Sequence, residues 1–151
     1  MDNRIPPPLV AALFGLLMWF AARHSPGTLE LTIEWRIALA LVVALAGVAI
    51  CLAGVLSFRR ARTTVNPLKP QTASALVSSG VYRYTRNPMY LGFATVLIAW
   101  SIFLAWPPAL LGVLGFVMYM NRFQIGPEER ALARLFGSEF TQYCSQVRRW
   151  L

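Results

Sequence analysis

Charge is what this sequence of 151 residues has least of: charged side chains make up 13% of it, and only six are acidic. A soluble domain carries roughly a quarter of its residues as charges, so a water-soluble globule is excluded. The same scarcity, beside a hydrophobic fraction of 57%, excludes a disordered chain or a basic nucleic-acid arm. Histidine occurs once, at His24, and cysteine twice, at Cys51 in an apolar run and at Cys144 near the end. A disulfide framework therefore has no support, and a structural zinc site cannot be assembled, so no metal is expected. A Ser-His-Asp triad would have to use His24, which sits beside a proline-glycine turn and far from any motif. What remains is the composition of an integral membrane protein.

The apolar residues fall into four spans within a single membrane domain covering 1–151. Residues 6–22 carry no charge and are just long enough to cross about 30 Å of hydrocarbon. A short run behind Arg4 also fits a signal peptide, but it reads as a span, with Pro6, Pro7 and Pro8 suited to a helix start. Residues 37–58 form the clearest span. Along it Ala40, Ala44, Gly47, Cys51 and Gly54 recur at three- and four-residue spacing, a stripe that lets another helix approach closely. An intramolecular packing face and a homodimer seam through 40–54 are both open on that pattern. Residues 88–122 are too long for one span, and Trp106-Pro107-Pro108 divides them into a helical hairpin of spans 88–105 and 109–122. Trp100 and Trp106 near the turn suit an interfacial belt. From Pro127 to Leu151, Leu132, Leu135, Phe136, Phe140, Tyr143 and Val147 follow helical spacing. They predict an amphipathic helix against the membrane or the bundle.

The basic residues set the orientation. The loop between the second and third spans holds Arg59, Arg60, Arg62, Lys69, Arg83 and Arg86, while the hairpin turn has no charge. Positive-inside then places that loop, both termini and the tail helix in the cytoplasm. The net charge of +8 is thus mostly topology, with anionic headgroups rather than nucleic acid as its neighbour.

Two polar segments would meet at that face. Ser79 to Gly92 enters the third span with guanidiniums, an amide and tyrosines; Asn121 to Arg130 leaves the fourth with an arginine, a glutamine and paired carboxylates. Convergent polar groups at the mouth of an apolar bundle mark a binding site. Plainer roles exist for each. Arg83 and Arg86 can be topology signals, and Tyr82, Tyr84 and Tyr90 interfacial anchors. Asn87-Pro88 can cap and start a helix, and Glu128-Glu129 can complement a helix N-terminus.

The pattern Gly80-x-Tyr82, Arg86-Asn87-Pro88-x-Tyr90-x-Gly92, then a hairpin, then Glu128-Glu129-x-x-Leu132 with Phe136-Gly137, Phe140, Tyr143 and Val147, spans residues 80–151. It resembles the isoprenylcysteine carboxyl methyltransferase family, whose signature extends to membrane phospholipid methyltransferases. The resemblance implies an integral membrane enzyme that binds S-adenosylmethionine at the cytoplasmic face and takes a lipophilic acceptor from the bilayer. It implies that Tyr82, Arg86, Asn87, Pro88, Tyr90, Gly92, Glu128 and Glu129 form the cofactor site. Carboxylates suit an ammonium or ribose hydroxyls, arginine a carboxylate, and a tyrosine face a sulfonium. Asn87 stands where the eukaryotic pattern has histidine, and an amide cannot titrate or act as a base. Glu128 and Arg122 are the candidates for catalytic contact. Arg122 would orient an anionic acceptor, or else only anchor the span end by snorkelling. The acceptor can be a carboxylate, a thiol or an amine. The rival readings are a four-span transporter, which usually needs an ionisable group in mid-span, and a non-catalytic membrane subunit.

Overall fold

The computed structural model describes residues 5–61 and 76–151, and every regular element among them is helical. Helix α1 runs Pro7–His24, α2 Ile33–Arg60, α3 Pro88–Leu104, α4 Leu110–Tyr119 and α5 Gly126–Gln146. Arg62 and Lys69 of the basic loop lie outside the described residues. Two helices, α1 and α2, are long and apolar enough to cross a membrane; α3 is apolar but shorter, with 17 residues.

Side chains are distributed as a bilayer solvent requires. On α2 the large residues Leu39, Val42, Leu45, Leu52 and Leu56 are exposed, while Gly47, Gly54 and Ser57 are its buried positions. On α1 and α4, Leu9, Leu13, Leu16, Leu111, Leu114 and Met118 also point outward. In water so continuous an apolar surface would drive association. Against lipid tails it is neutral, and helices are held by close packing of small residues.

That packing organises the bundle around α3. Helix α2 lies along one side of it, and α1 packs on α3 and α4. A methyl group at Gly47 would lie 2.8 Å from the carbonyl oxygen of Gly92, and one at Gly54 3.2 Å from Pro88. At Gly47, where the obstacle is backbone, only glycine permits this approach; at Gly54 the facing side chains would have to give way by a few tenths of an ångström. The Cys51 thiol donates to the Met89 carbonyl at 3.3 Å. The small-residue stripe is therefore an intramolecular face from Gly47 to Gly54. Along that stretch the neighbour is α3 of the same chain.

At the far end, α3 stops at Ala105, which is left-handed (φ 50°), and a 3₁₀ turn over Pro107–Ala109 leads into α4. The two tryptophans near it make hydrogen bonds within the protein. Trp100 donates to the Gly15 carbonyl of α1 at 3.0 Å and Trp106 to the Pro26 carbonyl at 3.3 Å.

The largest departure from expectation lies beyond α4. The backbone stays right-handed helical through a π-helical segment, Met120–Ile125, and straight into α5. Pro127 supplies the reason: its ring clashes with the carbonyl four residues earlier and it has no N–H to offer, so the ladder must widen just before it. One extra residue in the ladder rotates the downstream helix by about 100°. Since no helix begins at Pro127, Glu128 and Glu129 complement no free N-terminus.

Helix α5 does not continue to Leu151. Gly137 (φ 51°, ψ −120°) breaks it in the middle, in a conformation that favours glycine, and it ends at Gln146. Its buried face is Phe140 and Tyr143, joined by Val147, Leu132, Phe136 and Leu76. The expected amphipathic face thus packs on the protein itself, except Leu135, which is exposed.

Candidate functional site

Between α5, the start of α3 and the end of α2 lies a polar cleft lined by Tyr82, Arg86, Asn87, Tyr90, Glu128, Glu129 and Tyr143, with Phe58, Met89, Leu132 and Phe140 as its apolar walls. Three elements deliver these groups. A 3₁₀ turn, Gly80–Arg83, carries Tyr82, whose buried ring meets Phe58 edge-on at 5.3 Å. Pro88 starts α3, which places Tyr90 in its first turn facing inward. The first turn of α5, rotated by the π segment, carries the two glutamates.

The glutamates have different surroundings. Glu128 Oε2 accepts from the Tyr90 hydroxyl at 3.0 Å. Glu129 is gripped by two arginines: Arg86 Nη2 lies 3.1 Å from its Oε1, and Arg149 places Nε 3.1 Å from Oε1 and Nη2 2.5 Å from Oε2. Arg86 is only 14% exposed, yet its Nε has no hydrogen-bond partner. A buried, unsatisfied guanidinium N–H is costly unless an acceptor arrives. Tyr82 and Tyr143 are held neutral: burial pushes both phenols above their ordinary value, with the Glu128 charge adding to the effect at Tyr82. The Tyr143 hydroxyl donates to the Tyr82 carbonyl at 2.7 Å, which ties α5 to the 3₁₀ turn.

Asn87 precedes α3, but its side chain makes no cap hydrogen bond. Instead Nδ2 donates to the Arg149 carbonyl at 2.9 Å, and Thr85 Oγ1 donates to the same oxygen at 3.3 Å. The Arg86 N–H donates to the Arg148 carbonyl at 3.0 Å. The last residues thus form a strap laid across 85–87. Trp150 closes it by donating from Nε1 to Asn121 Oδ1 at 3.0 Å.

Of the residues expected at the site, the structure gathers Tyr82, Arg86, Asn87, Tyr90, Glu128 and Glu129 on one cleft. It does not bring the other three there. Pro88 is fully buried against Gly54, Gly92 is buried against Gly47 and Cys51, and Arg122 is exposed and outside the cleft wall. Tyr84 also points away, 74% exposed. Sequence reasoning missed Thr85, Tyr143, Arg149 and Trp150 as site-building groups. The polar run Thr85-Arg86-Asn87 and the terminal Arg148-Arg149-Trp150 were the available signals, and only folding joins them.

The fold and cleft define a class: a small all-helical membrane protein with a charged site at one mouth of its bundle. The family is narrower. Residues 35–139 match the phospholipid methyltransferase family, and the chain belongs to it. Two rice proteins, from Oryza sativa subspecies indica and japonica, are each named as a probable protein-S-isoprenylcysteine O-methyltransferase. Each is 29% identical over 147 residues, which is 92% of this chain and 75% of theirs. An uncharacterized protein of Haemophilus influenzae is 44% identical over 63 residues, 42% of this chain and the whole of that protein. No solved structure matches significantly. The chain is a membrane methyltransferase related to the isoprenylcysteine carboxyl methyltransferases.

Proposed function

We propose that the protein uses S-adenosylmethionine to methylate a lipophilic acceptor drawn from the bilayer. It does so as a four-span protein whose termini and cleft face the cytoplasm. The observation that carries this reading is the buried, unpartnered Nε of Arg86 on a cleft that also holds Glu128 and two tyrosines. A zwitterionic, cationic ligand fits that donor set. Arg86 suits its carboxylate, Glu128 its ammonium or ribose hydroxyls, and the faces of Tyr82 and Tyr90 a sulfonium. Glu129 is already paired with Arg86 and Arg149, so its part is to orient Arg86. When bound, the cofactor supplies an activated methyl group that leaves a neutral thioether behind.

The rest of the work falls to this chain. In-line transfer needs alignment more than acid-base help, and alignment of reactants contributes up to about 7–11 kcal/mol. Phe58, Met89, Leu132 and Phe140 wall the cleft with apolar surface that excludes water from the nucleophile. Asn87 can hydrogen-bond but not titrate, so a carboxylate or thiolate acceptor arrives already ionised, and Glu128 is the cleft group able to take the proton that an amine gives up. The cleft is narrow, about 70 Å³, against roughly 300–1,000 Å³ for small-molecule pockets. Binding therefore moves its walls outward.

A second cavity supports a lipophilic acceptor. Between α1 and α2, over α3, runs an apolar groove of about 510 Å³. Phe93, Val96, Trp100 and Phe103 form its floor, and they extend the helical row that begins at Met89 on the cleft wall. A hydrocarbon tail lying there would have its polar head near the cleft. Calorimetry of S-adenosylmethionine with detergent-solubilised protein, and then labelled cofactor with a panel of lipid extracts, tests the reading. Absence of both binding and label transfer overturns it and leaves a non-catalytic subunit. Reporter fusions at position 151 test the orientation, and an external C-terminus overturns that part.

A further inference from the structure

Two residues beyond α5, Arg148 and Arg149, take up hydrogen-bonding groups of the very segment that resembles a cofactor motif. We infer that the strap Val147–Trp150 is a wall of the methyl-donor site and that Arg149 is its positioning residue, acting through Glu129 and Asn87. The inference rests on the cofactor reading above and assigns a function to Arg148, Arg149 and Trp150, which the family pattern does not specify.

Two separate contacts of Arg149 bear on it. Its guanidinium holds Glu129 with Nε on one carboxylate oxygen and Nη2 on the other, 3.1 and 2.5 Å. Arg86 approaches that carboxylate through Nη2 alone, at 3.1 Å. With both carboxylate oxygens directed by Arg149, Arg86 is not drawn into its own fork, and its Nε stays unpartnered and buried. Remove Arg149 and Glu129 can swing to take that N–H, so the donor offered to a ligand carboxylate is lost. A fork-to-fork pair is shorter and more directional than a monodentate one, which is why the swap is favoured.

The second contact is made by the Arg149 carbonyl. A carbonyl has no proton, so only the NH₂ end of the Asn87 amide can face it, and the hydrogen bond is 2.9 Å long. That fixes the flip of Asn87 and leaves Oδ1, an acceptor, as the end presented to a ligand. An amide held this way reads a donor on the cofactor, such as an amino or hydroxyl group.

The strap itself is anchored on either side of Arg149. Val147 is buried with Phe140 and Tyr143, and Trp150 bonds Asn121. Truncating the Arg149 side chain leaves both anchors and the backbone contacts of Arg148 and Arg149 in place. The substitution therefore tests charge and positioning, not attachment.

The experiment is a double-mutant cycle on S-adenosylmethionine affinity, read by calorimetry in detergent. It compares wild type, Arg149→Ala, Arg149→Lys, Glu129→Gln and the Arg149→Ala/Glu129→Gln pair, with thermal stability measured on each. Arg149→Ala should weaken binding by about ten- to hundredfold, the loss expected for a charge-assisted contact. Lysine should recover part of it, and the double variant should bind no more weakly than Glu129→Gln. A residue that merely stabilised the fold would give losses that track stability, with no coupling to Glu129, and that result overturns the inference. So does wild-type affinity in Arg149→Ala, and so does tighter binding, which would make Arg149 a competitor of the cofactor. In those cases the cofactor reading stands. If wild type itself does not bind, that reading fails and the strap's role falls with it.

Discussion

Replacing Gly92 by alanine separates two accounts of one residue. The motif implies that Gly92 belongs to the cofactor site; the structure buries it against α2. The added methyl would sit 2.6 Å from the Gly47 carbonyl oxygen and 3.0 Å from the Cys51 backbone nitrogen, and it would also overlap the Cys51 sulfur. A side chain can turn away from such a contact, but a backbone carbonyl in mid-helix cannot. Helix α2 would have to retreat along α3, stretching the Cys51–Met89 hydrogen bond. Alanine regains about 1 kcal/mol of helix propensity, whereas overpacking in a tight contact costs about 1–3 kcal/mol. Contact with backbone puts this case at or beyond the upper end, so a net loss of about 2 kcal/mol is expected. At about 2–4 °C per kcal/mol for a chain of this size, Tm should fall by about 4–8 °C. The assay is thermal unfolding in detergent beside cofactor calorimetry at low temperature. Wild-type Tm together with lost cofactor affinity would refute the packing argument and return Gly92 to the site.

Four further outcomes are expected. Tyr90→Phe removes the hydroxyl that donates to Glu128 at 3.0 Å, and cofactor affinity measured by calorimetry should fall about tenfold, as for one hydrogen bond to a charged group. Arg122→Lys should keep near-wild-type turnover at normal membrane abundance, because an exposed side chain outside the cleft needs only a cation on a long stem. A sharp fall in that variant would place Arg122 beside the acceptor. Tyr143→Phe leaves the Tyr82 carbonyl without its donor and should destabilise the protein by about 1–3 kcal/mol in thermal unfolding. The wild type should also lose stability as pH rises above about 10, since the unfolded chain ionises its tyrosines there while burial keeps Tyr82 and Tyr143 protonated. Phenylalanine at 82 and 143 should flatten that slope.

The helices were legible because their signals are local. Long uncharged runs, Pro88 at a helix start and the Trp106-Pro107-Pro108 break each act within a few residues; α1 and α3 lie within two residues of those bounds, while α2 runs past its uncharged stretch to include Glu34, Arg36, Arg59 and Arg60. The stripe Gly47, Cys51, Gly54 likewise announces a close helix contact, although not which helix fills it. Chain order alone also brings Arg86–Tyr90 and Glu128–Glu129 to one end of a hairpin.

What the linear pattern could not decide depends on registers and on partners distant along the chain. Whether Gly92 faces a ligand or a neighbouring helix is a question of rotation, settled when α2 packs on its face of α3. The side on which Glu128, Glu129 and Arg122 emerge depends on the π segment, where one widened turn before Pro127 redirects everything after it. The strap is the clearest case. Asn87 looks like a helix cap in sequence, and the Arg149 carbonyl, 62 positions away, takes its amide instead. A backbone carbonyl carries no side-chain signature, so such a contact exists only once tertiary packing has put the two segments side by side.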